Sequence, residues 1–168
     1  IKPIKGMAIR SQFSYTDLKR SEFKYVSGQL PSKAESDGGD ATRIEIGETS
    51  LSNETTIQYT YKKKRHTLTP LLGFSAYSRS SNTLNASGRG YTDDNVTWNN
   101  MAAVPDKSTY AISTSYLAIQ KLSAFARVDY NYRSRYYLTL TGRYDGASNF
   151  AANNKWAFFP SAAFRWTV

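Results

Sequence analysis

Apolar side chains alternate with polar or small ones near the end of the 168-residue chain. From Trp156 to Trp166 the even positions hold Trp, Phe, Pro, Ala, Phe and Trp, whereas the odd positions hold Ala, Phe, Ser, Ala and Arg. Successive side chains of a β-strand point to opposite faces, so this period of two predicts a strand with one apolar face. The alternation recurs at residues 7–15, 55–61, 68–76, 122–132 and 136–144. The sequence therefore predicts an all-β chain of about six antiparallel strands of about ten residues, with a further short strand at 43–46 and no helix.

The connections between these strands differ in length. The sequence predicts short turns at 62–65 and 133–135 and long loops at 26–50, 82–116 and 147–155. Short turns at one end of the strands and long loops at the other are typical of outer-membrane β-barrels. A soluble β-sandwich also has alternating strands, but these usually have only about five or six residues.

Trp156 and Trp166 support the barrel interpretation by their spacing. On a tilted strand they would lie about 25 Å apart along the membrane normal, which is the height of the apolar band of such barrels. Tryptophan also concentrates where hydrocarbon meets water. The chain is thus predicted to be antiparallel strands forming part of a transmembrane β-barrel. Six strands are too few to close a barrel, and lipid does not tolerate unpaired edges, so the strands are expected to belong to a larger barrel.

Each strand of this wall would have a lipid face and a lumen face. The predicted lipid-facing residues are the apolar ones: Val128, Leu138, Leu140, Trp156, Phe158, Ala162, Phe164 and Trp166. Charged side chains of a spanning strand must face a wet or protein-filled lumen. The predicted lumen-facing residues are Arg127, Asp129, Thr139, Thr141, Arg143 and Arg165. Pro160 lacks a backbone N–H and is expected to cause a bulge or a local break in its strand.

Composition removes several other classes of function. The chain has no cysteine, which excludes disulfides and thiolate metal sites, and a single histidine, His66. No nucleophile–base–acid set is apparent, so we expect neither an enzyme nor a cofactor or metal site. The acidic residues of 92–95 suggest calcium ligands, but a solvated loop is the better interpretation. The net charge of +9 and the basic run at 62–65 would suit nucleic acid, but a charged turn beside lipid headgroups fits better, and no nucleic-acid partner is expected.

The sequence from Lys121 to Trp166, "KLSAFARVDYNYRSRYYLTLTGRYDGASNFAANNKWAFFPSAAFRW", resembles the barrel signature of SusC/RagA-type TonB-dependent transporters. The positions that match are Arg127, Val128, Tyr130, Tyr132, Tyr137, Leu138, Arg143, Asp145, Gly146, Ser148, Phe150, Asn154, Trp156, Phe159, Pro160, Ser161 and Trp166. Upstream, "IKGMAIRSQFSY" and "LTPLLGFSAYSRSSNTLNASGRGY" resemble preceding strands of the same barrel. Ala147, Ala151 and Ala152 depart from the family pattern, which commonly has serine at the first position and a glycine-bearing loop at the others.

The resemblance implies more than the chain contains. Members of this family have a barrel of about 22 strands filled by an N-terminal plug. Residues 1–168 would then be a partial barrel from the C-terminal half, without the plug or the TonB-contacting segment, and the abrupt ends of the chain agree with a piece of a longer protein. The implied function is import of oligosaccharides or peptides across the outer membrane of a Gram-negative, Bacteroidota-like bacterium, with a SusD-like surface lipoprotein as lid and TonB as energy source.

Two other functions stay open on the sequence alone. A SusC-like barrel could serve as a structural subunit of an outer-membrane assembly or secretion complex, with other complex subunits as partners. A soluble basic binding module is the more distant alternative. For the transporter, the predicted contacts with ligand or lid lie in one outer loop: Tyr91, Asp93, Asp94, Trp98, Asn99 and Asn100. Aromatic rings cover apolar patches of sugars or peptides, and side-chain oxygens accept their protons. The alternative for Trp98 is that it packs against its own loop or a neighbouring one.

Overall fold

The computed structural model describes residues 4–31, 38–151 and 153–168. Its strands are β1 (Met7–Val26), β2 (Gly39–Tyr59), β3 (Tyr61–Lys63), β4 (His66–Tyr91), β5 (Ala111–Tyr132), β6 (Tyr136–Ala147) and β7 (Trp156–Trp166). They form one sheet in the order β1-β2-β4-β5-β6-β7, with the short β3 paired to β4. The prediction of an all-β, antiparallel chain is confirmed.

Four strands are much longer than predicted. β1, β2, β4 and β5 have 20, 21, 26 and 22 residues. The predicted loops shrink accordingly, because β2 already begins at Gly39, β4 extends to Tyr91, β5 begins at Ala111 and β6 extends to Ala147. Residues 43–46 lie inside β2. The extensions escaped prediction because stretches such as 80–87 are mostly polar, so strand pairing there leaves no sustained apolar alternation to detect.

The chain divides into two compact units. Unit 1 comprises residues 1–15, 50–79 and 119–168, and unit 2 comprises 16–49 and 80–118. The stretches with apolar alternation fall in unit 1. Unit 2 has a small core in which Ala41, Tyr91 and Val104 are at most 2% exposed, with Tyr25 and Tyr110 packed against it.

At Gly73 and Gly38, among other glycines, a neighbouring group approaches too closely for a Cβ. In unit 1 a Cβ on Gly73 would lie 2.1 Å from the ring of Phe125, so the ring covers the backbone of β4 where no side chain intervenes. In unit 2 Gly38 has a φ of +106°, and a Cβ there would lie 2.5 Å from the carbonyl oxygen of Tyr91. A larger residue at either position would displace its neighbour.

The register of β6 and β7 is continuous and corrects the expectation for Pro160. The proline pairs with Gly142 without a bulge or a break. Thr167 N donates to Arg135 O across this ladder, so the hydrogen-bonded pairs are the odd-numbered residues of β7. The nitrogen of Pro160 therefore points away from β6, and its missing N–H removes no bond from the β6–β7 ladder.

The first short turn is tighter than predicted, and the second has the predicted length. β3 and β4 are joined by the two residues Lys64 and Arg65, because 62–63 belong to β3. β5 and β6 are joined by 133–135, where Arg135 N donates to Tyr132 O at 3.0 Å. Arg133 and Ser134 both have left-handed backbone, with φ of 54° and 56°, a conformation that costs energy for a residue with a side chain.

Candidate functional site

The predicted lipid-facing residues share one face of the sheet. Lateral neighbours in a sheet point the same way, and the register aligns Val128 with Leu140 and Leu140 with Ala162. The large side chains of this face are exposed, from 37% for Val128 to 67% for Phe164. A continuous exposed apolar face needs an apolar partner or solvent to be stable. Contact of these residues with lipid stays a prediction.

Aromatic rings form a lateral row at the turn end of this face. His66, Tyr132, Tyr136 and Trp166 each come from a successive strand, and their ring centroids are separated by 4.8, 6.3 and 6.3 Å. A second stacked pair, Tyr144 and Trp156, lies towards the opposite end of β6 and β7 with centroids 5.0 Å apart. The sequence pattern indicated the tryptophans, but it did not reveal the place of His66, because only the register of β4 against β5 brings it beside Tyr132.

The opposite face carries the predicted lumen residues, and two of its three arginines are paired with aspartates. Arg127 lies 2.8 Å from Asp129, which also accepts a hydrogen bond of 2.6 Å from Thr139. Arg143 lies 2.7 Å from Asp145 and donates to Ser123, a buried residue that the sequence did not single out.

The remaining members of this face add no further acid. The Arg165 guanidinium lies 3.9 Å from the centre of the Tyr137 ring. Thr141 is aligned with Arg127 on β5 and with Ser161 on β7. The face is therefore polar, and aspartates neutralise two of its three arginines, which suits a wet or protein-filled space. Its orientation towards a lumen stays a prediction.

The loop 92–110 contains the predicted ligand contacts and is organised by three short 3₁₀ turns, Thr97–Asn99, Met101–Ala103 and Lys107–Thr109. Lys107 fastens the second half of the loop, because its ammonium donates to the carbonyl oxygens of Ala102 and Val104 at 2.6 and 3.0 Å. Asn100 accepts from Ala102 N at the start of the second turn. The loop is thus held by its own side chains.

Tyr91 and Trp98 are largely used in packing. Tyr91 is 2% exposed, and burial raises the pKa of its hydroxyl, so its ring has almost no surface to offer a ligand. The Trp98 ring stacks on Phe23 of β1 with centroids 5.8 Å apart and planes 14° from parallel. The Arg43 guanidinium lies 5.3 Å from the centre of the Phe23 ring. The geometry agrees with the alternative that Trp98 packs against a neighbouring element.

Asp94 ties this loop to the end of β1. Tyr25 donates its hydroxyl to Asp94 Oδ1 at 2.6 Å, and Ser27 donates its hydroxyl to Oδ2 at 2.5 Å. The Ser27 and Tyr25 hydroxyls, with the Gly28 backbone, hold the pKa of Asp94 below its ordinary value of 3.8. Burial, and then the bond to Asp94, raise the pKa of Tyr25. Sequence reasoning could not find these partners, because they lie more than sixty positions away along the chain.

Three of the predicted contacts, Asp93, Asn99 and Asn100, remain at the surface. Asp93 and Asn99 are exposed, although Asp93 accepts hydrogen bonds from the backbone and side-chain nitrogens of Asn95. Within the described ranges no group of three His, Cys, Asp or Glu residues is placed to hold a metal ion. In the same part of the chain no helix is long and apolar enough to cross a membrane.

Comparison with known proteins identifies relatives that are named TonB-dependent receptors. No protein-family model matches the sequence. The chain is 32% identical over 168 residues to TonB-dependent receptor P26 of Formosa agariphila. This alignment covers 99% of the chain and 17% of that relative. It is 35% identical over 72 residues to TonB-dependent receptor SusC of Bacteroides thetaiotaomicron, covering 42% of this chain and 7% of that relative.

A solved structure, described as that of the RagAB peptide transporter, has the same fold. It matches 95% of this chain and 18% of its own chain with a TM-score of 0.83 and 22% identity. The chain thus spans less than a fifth of the proteins that it resembles. With its antiparallel sheet, its exposed apolar face and its paired charges opposite, the chain belongs to the SusC/RagA-type TonB-dependent receptors and forms part of their transmembrane β-barrel.

Proposed function

We propose that this chain is a wall segment of an outer-membrane importer that takes up large nutrients. The observation that supports the proposal is that the two faces of β5–β7 differ. One face is apolar and exposed along its length, and on the opposite face each acidic residue has an arginine or hydroxyl partner. The relatives named as TonB-dependent receptors and the RagAB peptide transporter support import as the activity of the full-length protein.

The polar face supports the presence of a plug inside the barrel. Arg127 and Asp129 are 52% and 37% exposed in their side chains, so their pair still has donors and acceptors available for another surface. The neighbouring threonines are short and add hydroxyls without bulk. A protein plug with polar groups would fit such a wall better than bare lipid would, since an ion pair facing hydrocarbon is strongly disfavoured.

The substrate class that we propose is an oligosaccharide or a peptide, delivered with a SusD-like surface lipoprotein acting as a lid. The loop 92–110 supports this, because its three short turns and its internal hydrogen bonds give a shaped outer surface on which Asp93 and Asn99 are exposed. Energy would come from TonB through an N-terminal region of the full-length protein. The host would be a Gram-negative, Bacteroidota-like bacterium, as the sources of the relatives suggest.

The proposed orientation places the two short turns in the periplasm and the three long loops at the cell surface, as is usual for such barrels. Intact cells that carry the full-length protein would be treated with protease. We expect any cleavage in this segment to fall within loop 92–110. Cleavage confined to the Lys64–Arg65 turn would reverse the orientation.

The function itself is tested by uptake. Cells with the full-length protein, its lipoprotein partner and TonB would be given labelled peptides and labelled oligosaccharides, with a strain lacking TonB as control. We expect uptake of one class that depends on TonB. A correctly inserted barrel that takes up neither class, but co-purifies with subunits of an assembly or secretion complex, would overturn the proposal in favour of a structural role.

A further inference from the structure

Arg165 differs from the other two arginines of the polar face. Arg127 and Arg143 each pair with an aspartate two positions further along the same strand, at 2.8 and 2.7 Å. The corresponding position for Arg165 is Thr167, which carries no charge. Arg165 is exposed, and among the described residues no acid pairs with it. A cation on a spanning strand normally has a partner, so an acid from another part of the full-length protein is expected.

The Arg165 guanidinium is held in place by an aromatic ring. It lies 3.9 Å from the centre of the ring of Tyr137, which is its partner in the β6–β7 register. The Tyr137 hydroxyl donates to Ser134 O at 3.0 Å and so fixes the ring against the β5–β6 turn. A guanidinium over an aromatic face keeps its N–H groups at its edge, where they match the two oxygens of a carboxylate. Arg165 is therefore arranged in advance for an acid that the described residues do not supply.

The surroundings of Arg165 add more positive charge. Arg165 and Tyr137 line an open cavity of about 520 Å³ on the polar face. Thr67 and Asn131 line this cavity too, and they also line a second one, of about 600 Å³, at the two short turns. The cations that line the second cavity are Lys64, Arg65, Arg133 and Arg135. Among the described residues that line the two cavities the only acid is Asp129, which already belongs to an ion pair. We call Arg165 and these four cations the basic wall strip.

We propose that the basic wall strip docks an acidic segment of the plug, with one carboxylate of that segment paired to Arg165 and further acids facing the cations of the turns. This inference rests on the proposed importer, in which the plug is the protein that lies against the polar face. Charge complementarity favours an acidic partner. The two cavities lie on the face opposite the apolar one, so a protein surface fits there and lipid does not. The pairing would anchor the plug at the short-turn end of the wall.

The test is carbodiimide cross-linking of the full-length protein in its membrane. The reagent joins a lysine amine to a carboxylate in contact with it, and it does not couple the guanidinium of arginine. Arg165→Lys should therefore give a new cross-link between position 165 and an aspartate or glutamate of the plug, which mass spectrometry would locate. Arg165→Gln should give no link. In that variant the backbone amides of the same plug segment should exchange about tenfold faster, the loss expected for one charge-assisted hydrogen bond.

The matched control is Arg127→Lys, because Arg127 already has Asp129 as its partner. The lysine at this position should cross-link within the wall, to Asp129, and not to the plug. Lys64 provides a second readout that needs no substitution, since it lines the cavity at the turns. In the unmodified protein the reagent should join Lys64 to the same plug segment, which decides the matter even where a variant inserts poorly.

The outcomes separate this proposal from that of import. Absence of a link to the plug from both position 165 and Lys64, or links from them to a different protein, would overturn the docking. Uptake that depends on TonB, without any such link, would refute the docking and leave import standing. A link to the plug in a protein that takes up neither peptides nor oligosaccharides would uphold the docking and refute import.

Discussion

Tyr136 on β6 and Trp166 on β7 lie opposite each other in the register and stack with their ring planes 9° from parallel. Tyr144 and Trp156 repeat the arrangement towards the other end of the same two strands, at 13°. Between the pairs lie Leu138, Leu140 and their β7 neighbours. Two aromatic levels separated by an apolar stretch are the arrangement expected around a hydrocarbon band of about 25 Å, and for this wall the band stays a prediction.

Leu140 lies in the middle of that band and gives the first prediction. Leu140→Arg should lower the free energy of unfolding of the full-length protein in lipid by about 2–4 kcal/mol, because it places a cation near the bilayer midplane. Denaturant unfolding from lipid vesicles would measure the loss. Leu140 is already 47% exposed in this segment, so the cost would come from lipid and not from a disrupted core.

The control for this substitution is its neighbour on the other face. Thr141→Arg adds the same side chain on the polar side and should cost much less, even though Arg127 lies opposite it on β5. Equal destabilisation by the two variants would contradict the assignment of the faces.

The hairpin turn between β5 and β6 gives the second prediction. Ser134 has a left-handed backbone, which costs a non-glycine residue roughly 1–2 kcal/mol. Ser134→Gly should relieve that strain and, after the larger entropy loss of glycine on folding, raise stability by about 0.5–1 kcal/mol. The same unfolding measurement applies.

Ser161 provides the matched control for the turn. It lies within β7 in an ordinary strand conformation, so Ser161→Gly should lower stability by about 0.5–1 kcal/mol. If glycine has the same effect at both positions, the turn does not store the strain that its dihedral angles indicate.

The sequence predicted the strands wherever one face was apolar. Alternation defined β5 to β7 and placed Val128 and Leu140 on the same face, because hydrophobic burial or lipid contact imposes that pattern on every residue of the strand. The prediction of strands failed where β1 and β4 continue with mostly polar residues and no sustained apolar alternation. Backbone pairing stabilises those extensions, and no side-chain pattern records it.

The loop contacts were predicted by residue type, and the structure shows why that was insufficient. Asp94 looked available because acidic loop residues usually face water. Its two donors, Tyr25 and Ser27, come from the end of another strand, and their proximity depends on how β1 and β4 are placed in the sheet. Such long-range pairings cannot be read from local spacing.

Asp94 gives a prediction for pH. Its pKa is lowered in the folded protein, so the clasp that it forms with Tyr25 and Ser27 contributes stability above the ordinary carboxyl pKa of 3.8. That contribution is lost as the pH falls below 3.8 through the lowered value, because the carboxyl must then be protonated. Hydrogen exchange of the backbone amides at 27–30 and 92–96 should show protection at neutral pH that declines in this acidic window.

Asp94→Asn tests the same clasp without a change of pH. The asparagine side chain keeps one acceptor oxygen but turns an NH₂ group towards a hydroxyl. The backbone amides of the loop should therefore exchange faster at neutral pH, and their protection should no longer decline in the acidic window. Asp93→Asn is the control, since the hydrogen bonds that the Asp93 carboxylate accepts come from Asn95 within its own loop. A variant at Asp94 with unchanged protection would show that the clasp does not hold the loop.

Trp98 gives the last prediction, because its role as a ligand contact and its role in packing can be separated. Trp98→Ala removes both the ring and its stack on Phe23, whereas Phe23→Ala removes only the partner and leaves the indole in the loop. An aromatic pair contributes about 0.5–1.5 kcal/mol, so both variants should loosen loop 92–110 to a similar extent. If Trp98 also contacts the substrate, Trp98→Ala should lower apparent affinity in uptake assays by a further factor of about five. Equal affinities in the two variants, with normal barrel insertion and lipoprotein association, would leave Trp98 as a packing residue and move the search for ligand contacts to Asp93 and Asn99.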